Sequence, residues 1–147
     1  MSKAALEARR EVGQQLSFAL YGAANRVVRL HKPFLDPLGL TFPQYLVLLE
    51  LFSGTPKSVG ELGTKLAMDT GTITPLLKRI EASGLVTRER DASDERRVLV
   101  NLTAKAEDMR DRIWSVTDKI KAACRLNEKG LTALRDTLQD LGHPLQN

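Results

Sequence analysis

Thr70, Thr72 and Thr74 recur at every second position, with Gly71 between the first two and the cations Lys78 and Arg79 just beyond. Hydroxyls and a glycine let a helix end approach a sugar-phosphate backbone closely. The N-terminus of a helix attracts anions, and cations neutralise phosphates. On the opposite side Ile73, Leu76, Leu77 and Ile80 fall at i, i+3, i+4 and i+7, the spacing of one buried helical face. Residues 69–82 therefore read as a helix whose exposed face suits the major groove of duplex DNA. The plainer reading is a core helix with a solvated threonine face. Pro75 is tolerated in a first turn; a start at Thr70 removes one hydrogen bond, to Gly71.

A second group, Arg88, Arg90, Arg96 and Arg97, is interleaved with Glu89, Asp91, Asp94 and Glu95. Such arginines either contact phosphates or form a solvated hairpin balanced by its own acids; of the four, Arg96 is the best candidate for DNA. Other chemistries find little support. Two histidines without clustered acids argue against a metal site, and no Ser–His–carboxylate context or phosphate-cradling glycine loop points to an enzyme or a cofactor. The single cysteine, Cys124, excludes an intramolecular disulfide. It reads as an inert small hydrophobe, or as a thiol made reactive by Lys121 and Arg125.

These residues need elements to hold them. From Ala4 to His31 the chain reads as one long helix with Leu16, Ala19, Leu20, Ala23, Val27 and Leu30 on a stripe, ended or bent at Lys32-Pro33. Asp36-Pro37 and Gly39 mark a loop. Thr41 with Gln44, and Ser58 with Glu61, are capping boxes opening two further helices. The second of these, a glycine-containing turn and the helix after Asp69 together make a helix-turn-helix. Ser83-Gly84 closes it; residues 85–90 and 97–102 read as strands around a charged tip, giving a winged helix. Thr103 caps a long final element in which Ala106, Met109, Ile113, Val116, Ile120 and Ala123 recur three and four apart. A last helix starts at Asn127, carries Leu131, Leu134, Leu138 and Leu141, and stops at Gly142-His143-Pro144.

The fold class expected is thus mainly α with a small β-hairpin wing. One domain spans 1–147, with 41–102 as the winged helix-turn-helix and 1–33 and 103–147 as a helical dimerisation layer. At 147 residues the chain can bury a core; 22 basic against 18 acidic residues, a charge of +4 and a pI near 9.4 permit a polyanionic partner. No N-terminal apolar run resembles a signal peptide or membrane span, so a soluble, cytoplasmic protein is expected.

Four stretches, 15–21, 37–47, 69–79 and Asp94-Glu95-Arg96, resemble the MarR family of winged-helix repressors, in particular its organic-hydroperoxide repressor branch. The resemblance covers essentially the whole chain. It implies a homodimer on an inverted-repeat operator, with Thr70, Gly71, Thr72, Thr74, Lys78 and Arg79 facing the major groove. It further implies Arg96 in the minor groove oriented by Asp94, and Arg88, Arg90 and Arg97 on phosphates. That branch senses peroxide with a cysteine where this chain has Ser17, and two tyrosines that hydrogen-bond the thiol are here His31 and Phe42. A serine cannot form a sulfenic acid. A lone cysteine change would read as an engineered lock; three changes read as a natural chain whose peroxide sensing is lost or altered. Cys124 lies near a resolving cysteine of some relatives, without a partner at 17. Ser17, Tyr21, Ala24, Val28 and His31 form a second stripe on the first helix. It is either a packing surface or one wall of a pocket, bounded by the first two helices and Trp114, for an apolar or aromatic effector.

Overall fold

A computed structural model describes residues 1–143. Its elements are α1 (Lys3–Ala8), α2 (Leu16–Leu35), α3 (Phe42–Phe52), β1 (Lys57–Ser58), α4 (Val59–Leu66), α5 (Thr70–Ala82), β2 (Val86–Arg90), β3 (Val98–Leu102), α6 (Ala104–Asp108), α7 (Arg110–Ala123) and α8 (Glu128–Asp140).

Both capping boxes form. The Thr41 hydroxyl accepts the Gln44 N–H while the Gln44 amide accepts the Thr41 N–H, and Ser58 and Glu61 do the same for α4. These short-range exchanges satisfy donors that a bare helix end leaves open. Asp69 and Asn127 cap α5 and α8. Gly84 closes α5 in the left-handed region at φ 79°, where a side chain would be strained. The antiparallel sheet has the order β1-β3-β2. A hairpin alone was expected; the two-residue β1 was too short to show alternation, and it pairs Lys57 with Val100 across the sheet.

The core gathers Tyr45, Val47, Leu48 and Leu51 of α3, Leu62 of α4, Ile73, Leu77 and Ile80 of α5, Val86 and Val100 of the sheet, and Ile113 and Val116 of α7. Tyr45 joins α3 to α7 through a hydrogen bond between its hydroxyl and that of Thr117 at 2.5 Å. Burial raises the Tyr45 pKa, the Thr117 hydrogen bond opposing and the Asp118 charge reinforcing the shift.

Three expectations are corrected. The helix from Ala4 to His31 is interrupted. α1 ends at Ala8, a 3-10 turn covers Val12–Gln14, and α2 begins at Leu16. Gly13 weakens helix here, and the Gln15 side-chain amide donates to the Arg9 carbonyl at 2.7 Å, which stabilises the corner. At its other end α2 passes through Pro33 to Leu35, so of the two outcomes expected at Lys32-Pro33 the end is excluded. Leu35 is buried, and that burial outweighs the one hydrogen bond lost at the proline. The element after Thr103 breaks at Met109, where the ψ angle of −5° separates α6 from α7. Its seam is also used within the chain. Ala106, Met109, Ile113 and Val116 are buried against the winged helix and Ile120 packs beside them, leaving only Ala123 exposed. α8 ends at Asp140, Gly142 is left-handed at φ 77°, and Pro144 lies outside the described residues.

Candidate nucleic-acid interface

α5 is held by its apolar face. Ile73, Leu76, Leu77 and Ile80 are all buried. This leaves Thr70, Gly71, Thr72, Lys78 and Arg79 exposed and Thr74 partly so. The Asp69 carboxylate accepts the Thr72 N–H at 2.9 Å. Pro75 sits inside the helix, so the Gly71 carbonyl is left without its usual partner and the helix continues to Ala82. The turn from α4 into α5 is tight. Ala67 is left-handed, the Met68 N–H donates to the Gly63 carbonyl at 2.8 Å, and a Cβ on Gly63 would lie 2.8 Å from the Met68 carbonyl oxygen. Only glycine allows that approach, which sets how α5 leaves α4.

The wing arginines differ in what they touch. Arg88 is committed: its Nε and Nη2 donate to Glu81 Oε1 at 3.2 and 3.0 Å, and its backbone N–H donates to Oε2 at 2.9 Å. The Arg88 hydrogen bonds hold the Glu81 carboxyl below its usual pKa range, despite a smaller opposing effect of burial. Arg90 donates to the Glu95 carbonyl across the tip at 2.8 Å. Arg97 lies between Glu61 at 3.0 Å and Asp91 at 3.5 Å. Arg96 differs from all of these. Its side chain is 91% exposed, and Nε donates to Asp94 Oδ1 at 3.1 Å, leaving the two terminal nitrogens facing solvent. A groove of about 350 Å³ joins the wing to α5, lined by Thr74, Arg88, Arg96 and Arg97 together with Ser58, Val59, Gly60 and Val98.

Glu81 and Glu61, the anchors of two arginines, were not singled out as site residues. Glu61 was visible as a cap, but neither residue's distance from the wing follows from spacing along the chain.

The second set of residues is divided within one chain: His31 and Phe42 meet, whereas Ser17 and Tyr21 stand apart from them. Ser17 and Tyr21 are exposed near the start of α2, whereas His31 is buried near its other end. The 14 intervening steps span about 21 Å at the helical rise. His31 donates from Nδ1 to the Val27 carbonyl at 2.8 Å, and its ring meets Phe42 edge-on at 4.7 Å and Tyr45 at 5.5 Å. Trp114 lies against Phe52 of α3, with ring centroids 6.5 Å apart. The large apolar cleft is elsewhere. About 830 Å³ lies between α2 and the α7–α8 corner, lined by Ala23, Val27, Leu30, Phe34, Leu126 and Leu134, with half-buried Cys124 in its wall. Among the described residues no three His, Cys, Asp or Glu side chains gather as metal ligands, and no helix is long and apolar enough to cross a membrane.

A helix-turn-helix with an arginine-bearing hairpin beside it defines a winged-helix regulator that binds DNA. The family model described as transcriptional regulator SarA/Rot matches residues 29–113. The organic hydroperoxide resistance transcriptional regulator of Bacillus subtilis is 37% identical over 127 residues, 86% of each chain. The HTH-type transcriptional regulator MgrA of Staphylococcus aureus is 38% identical over 131 residues, 88% of this chain and 89% of that one. Among solved structures, reduced AbfR bound to DNA superposes with a TM-score of 0.77 at 28% identity, covering 93% of this chain and 96% of its own; AbfR comes from Staphylococcus epidermidis. The chain belongs to the SarA/Rot and MarR group of winged-helix transcriptional regulators.

Proposed function

We propose that the protein is a homodimeric repressor that reads a pseudo-palindromic operator. α5 enters the major groove through Thr70, Gly71, Thr72, Thr74, Lys78 and Arg79, and Arg96 enters the adjacent minor groove. The observation that carries this reading is the Arg96 guanidinium, extended into solvent, held in direction by Asp94, and sharing with Thr74 of α5 the groove between wing and helix. A narrow minor groove has the negative potential that such a group fits. AbfR, in its reduced form, was solved on DNA. Pairing is supported by the apolar surface left on the helical layer, where Leu16, Phe18, Tyr21, Leu134, Leu138 and Leu141 are 45–68% exposed.

The test is a titration of a duplex selected by the purified protein from random-sequence DNA, repeated across salt concentrations. Affinity should fall along a log–log line whose slope approaches the number of phosphates neutralised. Arg96→Ala should cost about 1–3 kcal/mol of binding. Unchanged affinity would remove the wing from the interface. If Lys78 and Arg79 can also be replaced without effect on any duplex, the winged helix is a protein-binding module instead.

For the control signal, Ser17 supports insensitivity to organic hydroperoxide, read as unchanged DNA binding after treatment. The cleft beside Cys124 favours a second reading, release by a small apolar or aromatic molecule. Screening such compounds for loss of duplex binding separates the two.

A further inference from the structure

One polar chain runs from the cap of α4 to the tip of the wing. Glu61 uses its two oxygens for different tasks. Oε2 accepts the Ser58 N–H at 3.1 Å, completing the cap, while Oε1 accepts Arg97 Nη2 at 3.0 Å. The other terminal nitrogen of Arg97 reaches Asp91 Oδ2 at 3.5 Å. Asp91 in turn accepts the backbone N–H and the hydroxyl of Ser93 at 2.9 and 2.7 Å, and these hydrogen bonds lower its pKa. The backbone closes the same tip, with the Asp91 N–H donating to the Arg97 carbonyl and the Arg97 N–H donating to the Asp94 carbonyl, each at 2.9 Å. Arg96, the exposed guanidinium, is therefore the immediate neighbour of the residue tied to α4.

We propose that Glu61 is a positioning residue for DNA recognition: through Arg97 it fixes the attitude of the wing against the helix-turn-helix and so delivers Arg96 to the duplex. The inference rests on the reading that the wing meets DNA. It reassigns Arg97, which the family resemblance would place on a phosphate. Here both terminal nitrogens face carboxylates, and two negative charges beside one positive charge make a poor phosphate site. Glu81 and Arg88 brace the wing in the same way from α5, so both helices of the motif grip it.

Glu61→Gln isolates this role, because the amide oxygen still accepts the Ser58 N–H and the cap survives. The variant should melt at the wild-type temperature yet bind the selected duplex about twofold to fivefold more weakly, the scale of a partly exposed ion pair. The loss from Arg96→Ala should shrink when measured in the Glu61→Gln background, since a wing already out of place has less to lose. Arg97→Ala should weaken binding without changing the salt slope, whereas a phosphate contact would lower that slope by about one. Wild-type affinity for Glu61→Gln, full additivity with Arg96→Ala, or a reduced slope for Arg97→Ala would each overturn the assignment. Those results leave the wing on DNA. An Arg96→Ala protein that binds normally would instead bring down the wing reading and this inference with it.

Discussion

α5 and α8 are both 13 residues long, both amphipathic, and both opened by an acid or amide side chain, Asp69 or Asn127, that accepts a backbone N–H. Their fates differ. α5 buries Ile73, Leu76, Leu77 and Ile80, whereas α8 has no buried residue and leaves Leu134 and Leu138, with Leu141 just after its end, 45–50% exposed. An apolar stripe states that a face will be covered, and says nothing about which surface covers it. In α5 the cover is the same chain. In α8 the apolar face is left over once the chain has folded, which is the surface the proposed pairing of two copies would cover.

Truncations on each face test that contrast most directly. Leu77→Ala should destabilise the chain by about 2–5 kcal/mol in denaturant unfolding, since Leu77 is fully buried and its removal leaves a cavity. Leu138→Ser should cost little in the same assay under conditions where the protein is a single copy, while shifting sedimentation toward the smaller species. Equal losses of fold stability would mean that α8 is packed as firmly as α5. Asp69→Ala removes the cap of α5 and should cost about 0.5–2 kcal/mol of thermal stability, more than a neutral surface change on α8. Tyr45→Phe deletes the hydrogen bond to Thr117 between α3 and α7, with an expected loss of about 0.5–1.5 kcal/mol in denaturant unfolding.

The smallest effect concerns pH. Glu81 and Asp91 have lowered pKa values in the fold, set first by the Arg88 side chain and by Ser93 respectively. Their contribution to stability is present above the ordinary carboxylate range and is lost as pH falls through the depressed values. Unfolding midpoints measured down that range should decline less steeply for Glu81→Gln than for the unmodified chain.

Features fixed by neighbours in sequence were legible beforehand. Thr41 with Gln44, Ser58 with Glu61, and the four apolar residues of α5 are decided within one or two turns, and the structure holds them as read. What sequence could not supply was tertiary. The seam from Ala106 to Val116 has the spacing of a helix seeking another helix, and the surface it meets belongs to the same chain. Pro33 reads as either a stop or a bend, and the burial of Leu35 decides between them by carrying the helix past it. In the wing, the sequence already singled out Arg96, and the fold adds what each arginine touches: Arg88 is anchored on Glu81, whereas Arg96 pairs only with its neighbour Asp94 and extends into solvent.

α2 has one end seated among His31, Leu35 and the aromatic rings of Phe42 and Tyr45, and the other among exposed apolar side chains. Twenty residues make it a rod about 30 Å long. A tilt of about 5° at the seated end swings the far tip by roughly 2.6 Å. In the proposed dimer the same lever would work in reverse: a molecule or mutation that re-seats two copies against each other would move the two α5 helices relative to successive grooves by a displacement of that order.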